Sequence, residues 1–549
     1  MLTRRALLRH AGLTGLFSLA PSLTACGSSD DGGDPAPGDD TLPQYVHDGA
    51  EGPETMFSHG VASGDPLPTG VILWTRVSPA GTAPVKVWVE VSKNPEFTQR
   101  VIAEWIPEAT DASRDYTVKV DADGLAAGTT YYYRFFAEGR QSPIGRTRTA
   151  PSGAVSRLRF AVVSCSSLAH GYFFPYREIA KLADLDAVIH LGDYIYEYAS
   201  GKYGSVREYE PSHEILQLDD YRQRYAQYHR DPDLQEVHRQ HPMIATWDDH
   251  ESADNSWKSG AENHDPATEG DWGARLSAAA QAYFEWLPIR EAPGRRVYRG
   301  LEYGDLVDLI MLDTRIVGRD EQASGLTLSY AASVAAAKNL LGTEQEAWLF
   351  ERLEASTRKW KLLAQQVILS PHKTEGAPNA DGGGVLINPD QWNGYAAARD
   401  RLFALLKDKQ ISDVVVLTGD VHSSWAFDVA PDPNEPTAYD ASTGAGSLAV
   451  EFVTPAVSSP SGPFSVLLPA IDSANPHLAY REVTMRGYIL LDLDDQRAQG
   501  AFFHVDQVED PAAYTASFSA ALSTARGKNH LVAESEPAAP RANPPALAP

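Results

Sequence analysis

The sequence predicts an α/β domain preceded by a small all-β sandwich, and three observations carry that expectation. Between Phe57 and about Thr149 lie short strand-like runs, among them GVILWTRV, VKVWVEVS, YTVKVD and TYYYRFFAE, separated by turn residues at regular intervals, as in a fibronectin- or immunoglobulin-like sandwich. After Ala150-Pro151-Ser152-Gly153 the pattern changes to apolar strands alternating with helical stretches, the mark of α/β folds. Finally, 549 residues with 43% hydrophobic and 22% charged content are too many for one core and too apolar for disorder. Two or three globular domains are expected.

The elements follow in chain order. Residues 1–26 combine paired arginines, Arg4 and Arg5, with a short apolar stretch from Ala11 to Ala25, which predicts a twin-arginine export signal. Leu23-Thr24-Ala25-Cys26 resembles a bacterial lipobox, so Cys26 is expected to carry lipid and to anchor the protein in the periplasm or at the cell surface. No apolar run reaches the roughly 18 residues of a membrane span, so that lipid is the expected membrane contact. Residues 27–52, rich in Gly, Asp and Pro, read as a disordered tether. The sandwich occupies 53–150, with Leu125-Ala126-Ala127-Gly128-Thr129-Thr130-Tyr131 resembling a tyrosine corner.

The α/β domain is assigned to 151–510, with strands at 158–164, 187–192, 243–247, 306–312, 361–369 and 414–419. Helices are expected at 174–184, 216–240, 272–286, 343–356 and 395–407. Over 511–549 the run AAYTASFSAALSTAR suggests a helix, followed by a disordered Ala/Pro tail.

A formal charge of -26, from 73 acidic against 47 basic residues, argues against a nucleic-acid face. It also means that phosphate chemistry here would need metal cations. A lone exported thiol is unusual, because exported cysteines normally pair. If Cys26 carries lipid, Cys165 has no cysteine partner in the chain.

Chemistry gathers where the strands end. One strand finishes in Ser164-Cys165, the next in Gly192-Asp193-Tyr194-Ile195-Tyr196, the third in Trp247-Asp248-Asp249-His250-Glu251, and another in Gly419-Asp420-Val421-His422. Open α/β sheets place ligand sites at the carboxyl ends of their strands. A single Asp there is more often a helix cap than a ligand; four such ends together, each with metal-ligand chemistry, favour a site.

The segments GDYIYEY, ATWDDHESADNSW, GDVHSSW, EFVTPAVSS and NPHLAYREVTMRGY closely resemble the PhoD-like alkaline phosphatases, a branch of the calcineurin-like metallophosphoesterases. FSHGVASGDPLPTGVILWTRVSP resembles that family's N-terminal sandwich, so the likeness spans nearly the whole chain. The resemblance implies a metallophosphoesterase core of two packed mixed β-sheets flanked by helices, with a dinuclear metal centre at one edge. It further implies an alkaline phosphatase or phosphodiesterase. The ester would be cleaved by a metal-bound hydroxide, and no covalent serine is required.

The general phosphoesterase pattern, D-x-H, GD, GNHE, a strand-end His and GHxH, is altered in this chain. Cys165 stands where the first aspartate would, Asp193 is followed three residues later by Tyr196, Asp249-His250 replaces the NH pair, and Asp420 replaces the penultimate His before His422. Gln366 falls where other members carry a His. A thiolate, a phenolate, a carboxylate and an imidazole from Cys165, Tyr196, Asp193 and His422 suit Fe(III). The oxygen-rich remainder, with Asp193 bridging and Asp249, Asp420 and Gln366 contributing, suits Ca²⁺, with Mg²⁺ or Mn²⁺ as the alternative.

His250, beside Asp249, is the expected general acid or charge stabiliser, and Asp193 the bridging group on which catalysis depends. Arg315 is a candidate phosphate clamp with a surface ion pair as its alternative, and Asp248 a candidate orienting group. His190 reads as a core histidine, His372 is ambiguous, and the resemblance places His477 near the site. The expected substrate is a small-molecule or polymeric phosphate ester, handled by a monomer. Two other readings stay open: a phospholipase D-like or teichoic-acid phosphodiesterase, and an envelope binding lipoprotein with a structural metal.

Overall fold

A computed structural model describes residues 42–462 and 466–549. The export signal, Cys26 and the start of the tether lie outside these residues. Two large sheets dominate. The ten-stranded sheet runs, in spatial order, Val532–Glu534, Ala516–Ala525, Arg497–Val505, Arg486–Asp494, Arg157–Val163, Ala187–His190, Pro242–Ala245, Val61–Leu67, Gly70–Arg76 and Thr117–Asp123. The seven-stranded sheet runs Arg299–Tyr303, Val307–Met311, Trp360–Ala364, Val414–Thr418, Ala449–Val453, Ser424–Val429 and Leu478–Glu482. Both are mixed, with parallel pairs at their centres and antiparallel pairs towards the edges.

Alternation along the strands explains why the sheets stack. Successive side chains point to opposite faces. Phe160 and Val162, Ile189, Leu309 and Met311, Leu362, and Val415 and Leu417 therefore form one buried core between the sheets. The intervening Ala161, Val163 and Val188 face helices Phe174–Ala180, Leu218–Tyr228, Pro232–Gln240 and Trp272–Trp286. On the opposite side Ile310, Leu363, Val414 and Val416 face helices Gly342–Ala355 and Ala396–Asp408. Strands covered on both faces are near-continuously apolar, which is why they stood out in the sequence.

The helix expected over 216–240 is broken in two. The first ends at Tyr228 with His229 as its C-cap, and Asp231 caps the second, accepting from the backbone N–H groups of Asp233 and Leu234, with Pro232 in the first turn. A proline is tolerated there and not within a helix.

The N-terminal strands divide between two layers. Trp88–Ser92, Arg100–Trp105, Thr130–Ala137, Arg140–Gln141 and Gly145–Arg148 form a five-stranded sheet. It packs through Val89, Val91, Tyr133 and Phe135 against Val61, Val71, Leu73 and Val118. These last belong to strands that continue the ten-stranded sheet, because Val61–Leu67 pairs in parallel with Pro242–Ala245. One layer of the sandwich is thus continuous with the sheet that carries the site. The Tyr131 hydroxyl accepts from the Ala126 N–H at 2.9 Å, the bond that defines a tyrosine corner.

Two expectations are corrected at the termini. Residues 42–52 do not hang free. Tyr45 stacks on Phe136 at 4.7 Å between ring centroids and accepts from the Gly139 N–H, while the Gly52 carbonyl accepts from Arg140. The expected C-terminal helix is the strand Ala516–Ala525, paired antiparallel along Arg497–Val505. Its Ala residues suit a helix intrinsically, but the ladder along that neighbour and the burial of Leu522 in the inter-sheet core outweigh so weak a preference. The tail after it packs back on the protein: the Ala546 carbonyl accepts from Tyr132, and the Arg541 N–H donates to Asp184.

Candidate metal centre

The loops after Arg157–Val163, Ala187–His190, Pro242–Ala245 and Val414–Thr418 meet at one edge of the sandwich, where the sequence motifs placed them. Their approach is close. Gly192 has φ +107°, and a Cβ there would lie 2.4 Å from the backbone nitrogen of Asp248, so only glycine fits. Glu251 locks the second and third loops together, its carboxylate accepting from the N–H groups of Asp193, Tyr194 and Asp248 at 3.1, 2.7 and 2.8 Å. The first two loops are joined by Cys165 N–H to Gly192 O and Ser166 N–H to Asp193 O.

Cys165, Asp193, Asp420 and His422 all adopt left-handed backbone conformations, with φ of 62°, 56°, 64° and 56°. Such conformations cost free energy for non-glycine residues, and they cluster at sites whose surroundings enforce them. Here Asp193, Asp420 and His422 are turned towards one space, with Cys165 buried within reach of Asp193 and His422.

That space is a cavity of about 240 Å³ lined by Asp193, Tyr198, Tyr203, Asp249, His250 and Asp420 among others. Three sets of side chains around it bring their ligand atoms within 4.8 Å of one another: Cys165, Asp193 and His422; Asp193, Asp249 and His250; and Asp248, Asp249 and Asp420. Tyr196 joins the first set, its hydroxyl 3.0 Å from Asp193 Oδ2 and 3.3 Å from His422 Nε2. The sets overlap at Asp193 and Asp249, which lie between a sulfur- and nitrogen-containing group and an all-oxygen group. Asp193 Oδ1 and Asp248 Oδ2 are buried without a hydrogen-bond partner.

Hydrogen bonds fix the imidazoles. His422 Nδ1 meets the Pro460 carbonyl at 2.8 Å; a carbonyl can only accept, so Nδ1 carries a proton and Nε2 faces Tyr196 and Asp193. His250 Nδ1 meets Glu197 Oε2 at 2.8 Å. The His250 ring packs on Tyr196, 4.2 Å between centroids, and on Tyr198.

The donor set fits cations. Burial, and then the neighbouring Asp193, push both the Cys165 thiol and the Tyr196 phenol far up. Burial pushes Asp420 up to about 7 and, with Asp193 beside it, Glu251 up to about 8. Asp249 runs the other way, because Arg315 and His250 outweigh its burial and hold it below the usual carboxylate range. For His250 burial favours the neutral ring, but Glu197, Asp193 and Asp249 outweigh it and lift the pKa well above that of a free imidazole. Acids crowded and buried together resist ionisation unless positive charge is placed among them.

Cys165, Asp193, Tyr196, Asp249, His250, Asp420 and His422 are thus brought together. Gln366 is not. Its Oε1 accepts from the N–H and hydroxyl of Thr314, and its Nε2 donates to Thr246 Oγ1 and the carbonyls of Trp247 and Leu312. It clasps neighbouring strand ends and has no oxygen to offer an ion. His477 does not line the cavity; its Nε2 donates to the Pro371 carbonyl and its ring packs on Phe427. His372 lies beside it against Trp425. His190 is buried in the core, bonded to Tyr176. Arg315 is neither a surface ion pair nor a free clamp: it is fully buried among Asp248, Asp249, Asp390 and Asp420.

Four contributors were not read from the sequence. Glu197 and Glu251 lie inside segments noticed for other residues, and their work is to accept backbone and imidazole N–H groups, which leaves no spacing signal. Asp254 lines the cavity mouth. Asp390 comes from the irregular loop Asn388-Pro389-Asp390-Gln391, outside any strand-end pattern.

Comparison with known proteins agrees with this geometry. The family model for PhoD-like phosphatases matches residues 160–502, and the model for their N-terminal domain matches 44–151. The chain belongs to the PhoD-like phosphatase family. The resemblance first carried by the motifs is therefore borne out, and so is the α/β fold with its N-terminal strands. Among curated proteins, alkaline phosphatase D of Bacillus subtilis (strain 168) is 40% identical over 398 residues, 68% of this chain and 66% of that protein; the match thus spans just under two thirds of the relative's length. A solved structure of PhoD superposes with a TM-score of 0.79 at 33% identity, covering 90% of this chain and 94% of that one.

Proposed function

We propose that this chain is an exported alkaline phosphatase D-type hydrolase that cleaves phosphate monoesters or diesters at a dinuclear centre. The observation that carries this is the overlap of two donor sets at Asp193 within one cavity that also contains His250. Cys165, Tyr196, Asp193 and His422 would hold Fe(III), the softer and phenolate-rich set. Asp193, Asp249 and Asp420 would hold a hard cation, Ca²⁺ before Mg²⁺ or Mn²⁺. When bound, these cations supply Lewis acidity at the phosphoryl oxygens and ionise the attacking water at moderate pH.

The chain's own residues do the rest. The Glu197 carboxylate keeps the proton on His250 Nδ1 and orients the ring, which leaves Nε2 towards the cavity for the phosphoryl or leaving oxygen. Tyr196 and Tyr198 pack on that ring and limit its rotation. A structural metal site is normally closed by protein ligands, whereas Asp193, Asp249, Asp420 and His422 border an open cavity, which favours an enzyme over a binding lipoprotein. A panel of aryl and alkyl phosphate monoesters and diesters tests the reading; no hydrolysis of any of them by metal-loaded protein contradicts it.

Lipid attachment at Cys26 is part of the proposal, motivated by Leu23-Thr24-Ala25-Cys26. Wild-type protein is expected to partition with membranes and Cys26→Ser protein to be released; equal partitioning removes the anchor.

A further inference from the structure

We propose that Arg315 is a built-in cation of the metal centre: its guanidinium presets Asp248, Asp249, Asp390 and Asp420 and fills the place that a further divalent cation would otherwise take. The inference rests on the metal-binding reading above and concerns a residue to which that reading gives no role.

The position of Arg315 is set by its own strand. It follows Val307–Met311, and Asp313 Oδ1 holds the turn by accepting from the N–H groups of Arg315 and Ile316 at 2.9 and 2.8 Å. The side chain then enters the acidic edge of the cavity with no exposed surface. Nε donates to Asp248 Oδ1 at 2.5 Å, Nη1 to both oxygens of Asp390 at 2.9 and 2.8 Å, and Nη2 to Asp420 Oδ1 at 2.5 Å, with Asp249 Oδ2 3.7 Å away. Arg319 donates to Asp390 from the other side, and Gln391 Nε2 donates to Asp420 Oδ2 at 2.6 Å.

Every guanidinium nitrogen is therefore engaged by a carboxylate, and no planar fork remains for a substrate phosphate. Asp193, Asp248, Asp249, Asp390 and Asp420, when ionised, carry five negative charges. Arg315 and Arg319 return two of these within the cluster. Asp248 Oδ2 and Asp193 Oδ1 remain buried and unpartnered, so the guanidinium leaves part of the carboxylate set for an ion. Removing the guanidinium would release Asp248 Oδ1, Asp390 Oδ2 and Asp420 Oδ1, with Asp390 Oδ1 still held by Arg319, and leave an acidic pocket able to take one more hard cation.

The test uses the full chain and two variants, Arg315→Gln and Arg315→Lys, with Ca²⁺ alone as the probe. Melting is followed after chelation and at saturating Ca²⁺, and bound calcium is counted by equilibrium dialysis. Chelated Arg315→Gln protein is expected to melt on the order of 10 °C below chelated wild type, since one partner of a buried ion cluster is gone. Saturating Ca²⁺ should close most of that gap, with one more Ca²⁺ bound per chain than in wild type. Arg315→Lys, which keeps a charge but not the fork, should bind the wild-type number and melt between the two. Equal melting of chelated wild type and Arg315→Gln, or the same non-zero calcium count in both, overturns the role given to Arg315. A low-melting variant in which neither protein binds calcium overturns instead the metal reading on which the inference rests.

Discussion

Asp193→Asn protein should lose nearly all hydrolytic activity together with most of its bound metal. Asp193 is shared by the sulfur-containing set with Cys165 and His422 and by the set with Asp249 and His250; its Oδ2 accepts from Tyr196, and its Oδ1 is buried with no protein partner. An amide keeps the shape but removes the negative charge that both cations would share. Losing transition-state stabilisation of several kcal/mol corresponds to a fall in kcat on the order of 10³-fold or more. Elemental analysis of the same samples separates this from a purely structural defect. Asp193→Asn protein that keeps wild-type metal content and turnover would show that the two sets are not joined at this residue.

The second large effect is expected at His250, and its dependence on the leaving group matters more than its size. His250→Ala should reduce turnover by about 10²-fold while leaving metal content intact, because the ring is oriented by Glu197 and sits beside the donors Asp193 and Asp249. An activated aryl phosphate needs little protonation of its leaving oxygen and should lose less than an alkyl or glycerol ester if His250 is the acid. Equal losses on both would instead make His250 a stabiliser of the phosphoryl charge. Wild-type rates on the poor leaving group would remove it from the catalytic set. Glu197→Gln offers a milder companion: the amide still accepts from Nδ1, so part of the effect should be retained, most visibly in kcat and less in KM.

The parts of the fold legible in the sequence were those governed by burial on both faces. Phe160 to Val163, Ile189, Leu309 to Met311 and Val414 to Leu417 are apolar because sheets or helices cover them from either side, and such runs cannot be mistaken for surface. The strand ends that follow bring metal-ligand residue types to one edge, and the family resemblance then picked out Cys165, Asp193, Tyr196, Asp249, Asp420 and His422 among them. Where long-range contacts overrode local preference the reading failed. Ala516–Ala525 has helix-forming composition but adds to a sheet edge, a long-range pairing that local preference does not encode. Gln366 aligned with a ligand position by its strand, yet its neighbours Thr314, Thr246 and Trp247 consume both ends of its amide. Arg315 was invisible as a counter-ion because the four carboxylates around it come from three loops far apart in sequence.

The most direct measurement is the rate of aryl phosphate hydrolysis at alkaline pH by purified protein, before chelation, after chelation, and after Fe(III) and Ca²⁺ are returned. Activity present at the start, abolished by stripping and restored only when both ions are supplied is the predicted result. Unchanged activity in metal-free protein would contradict the account.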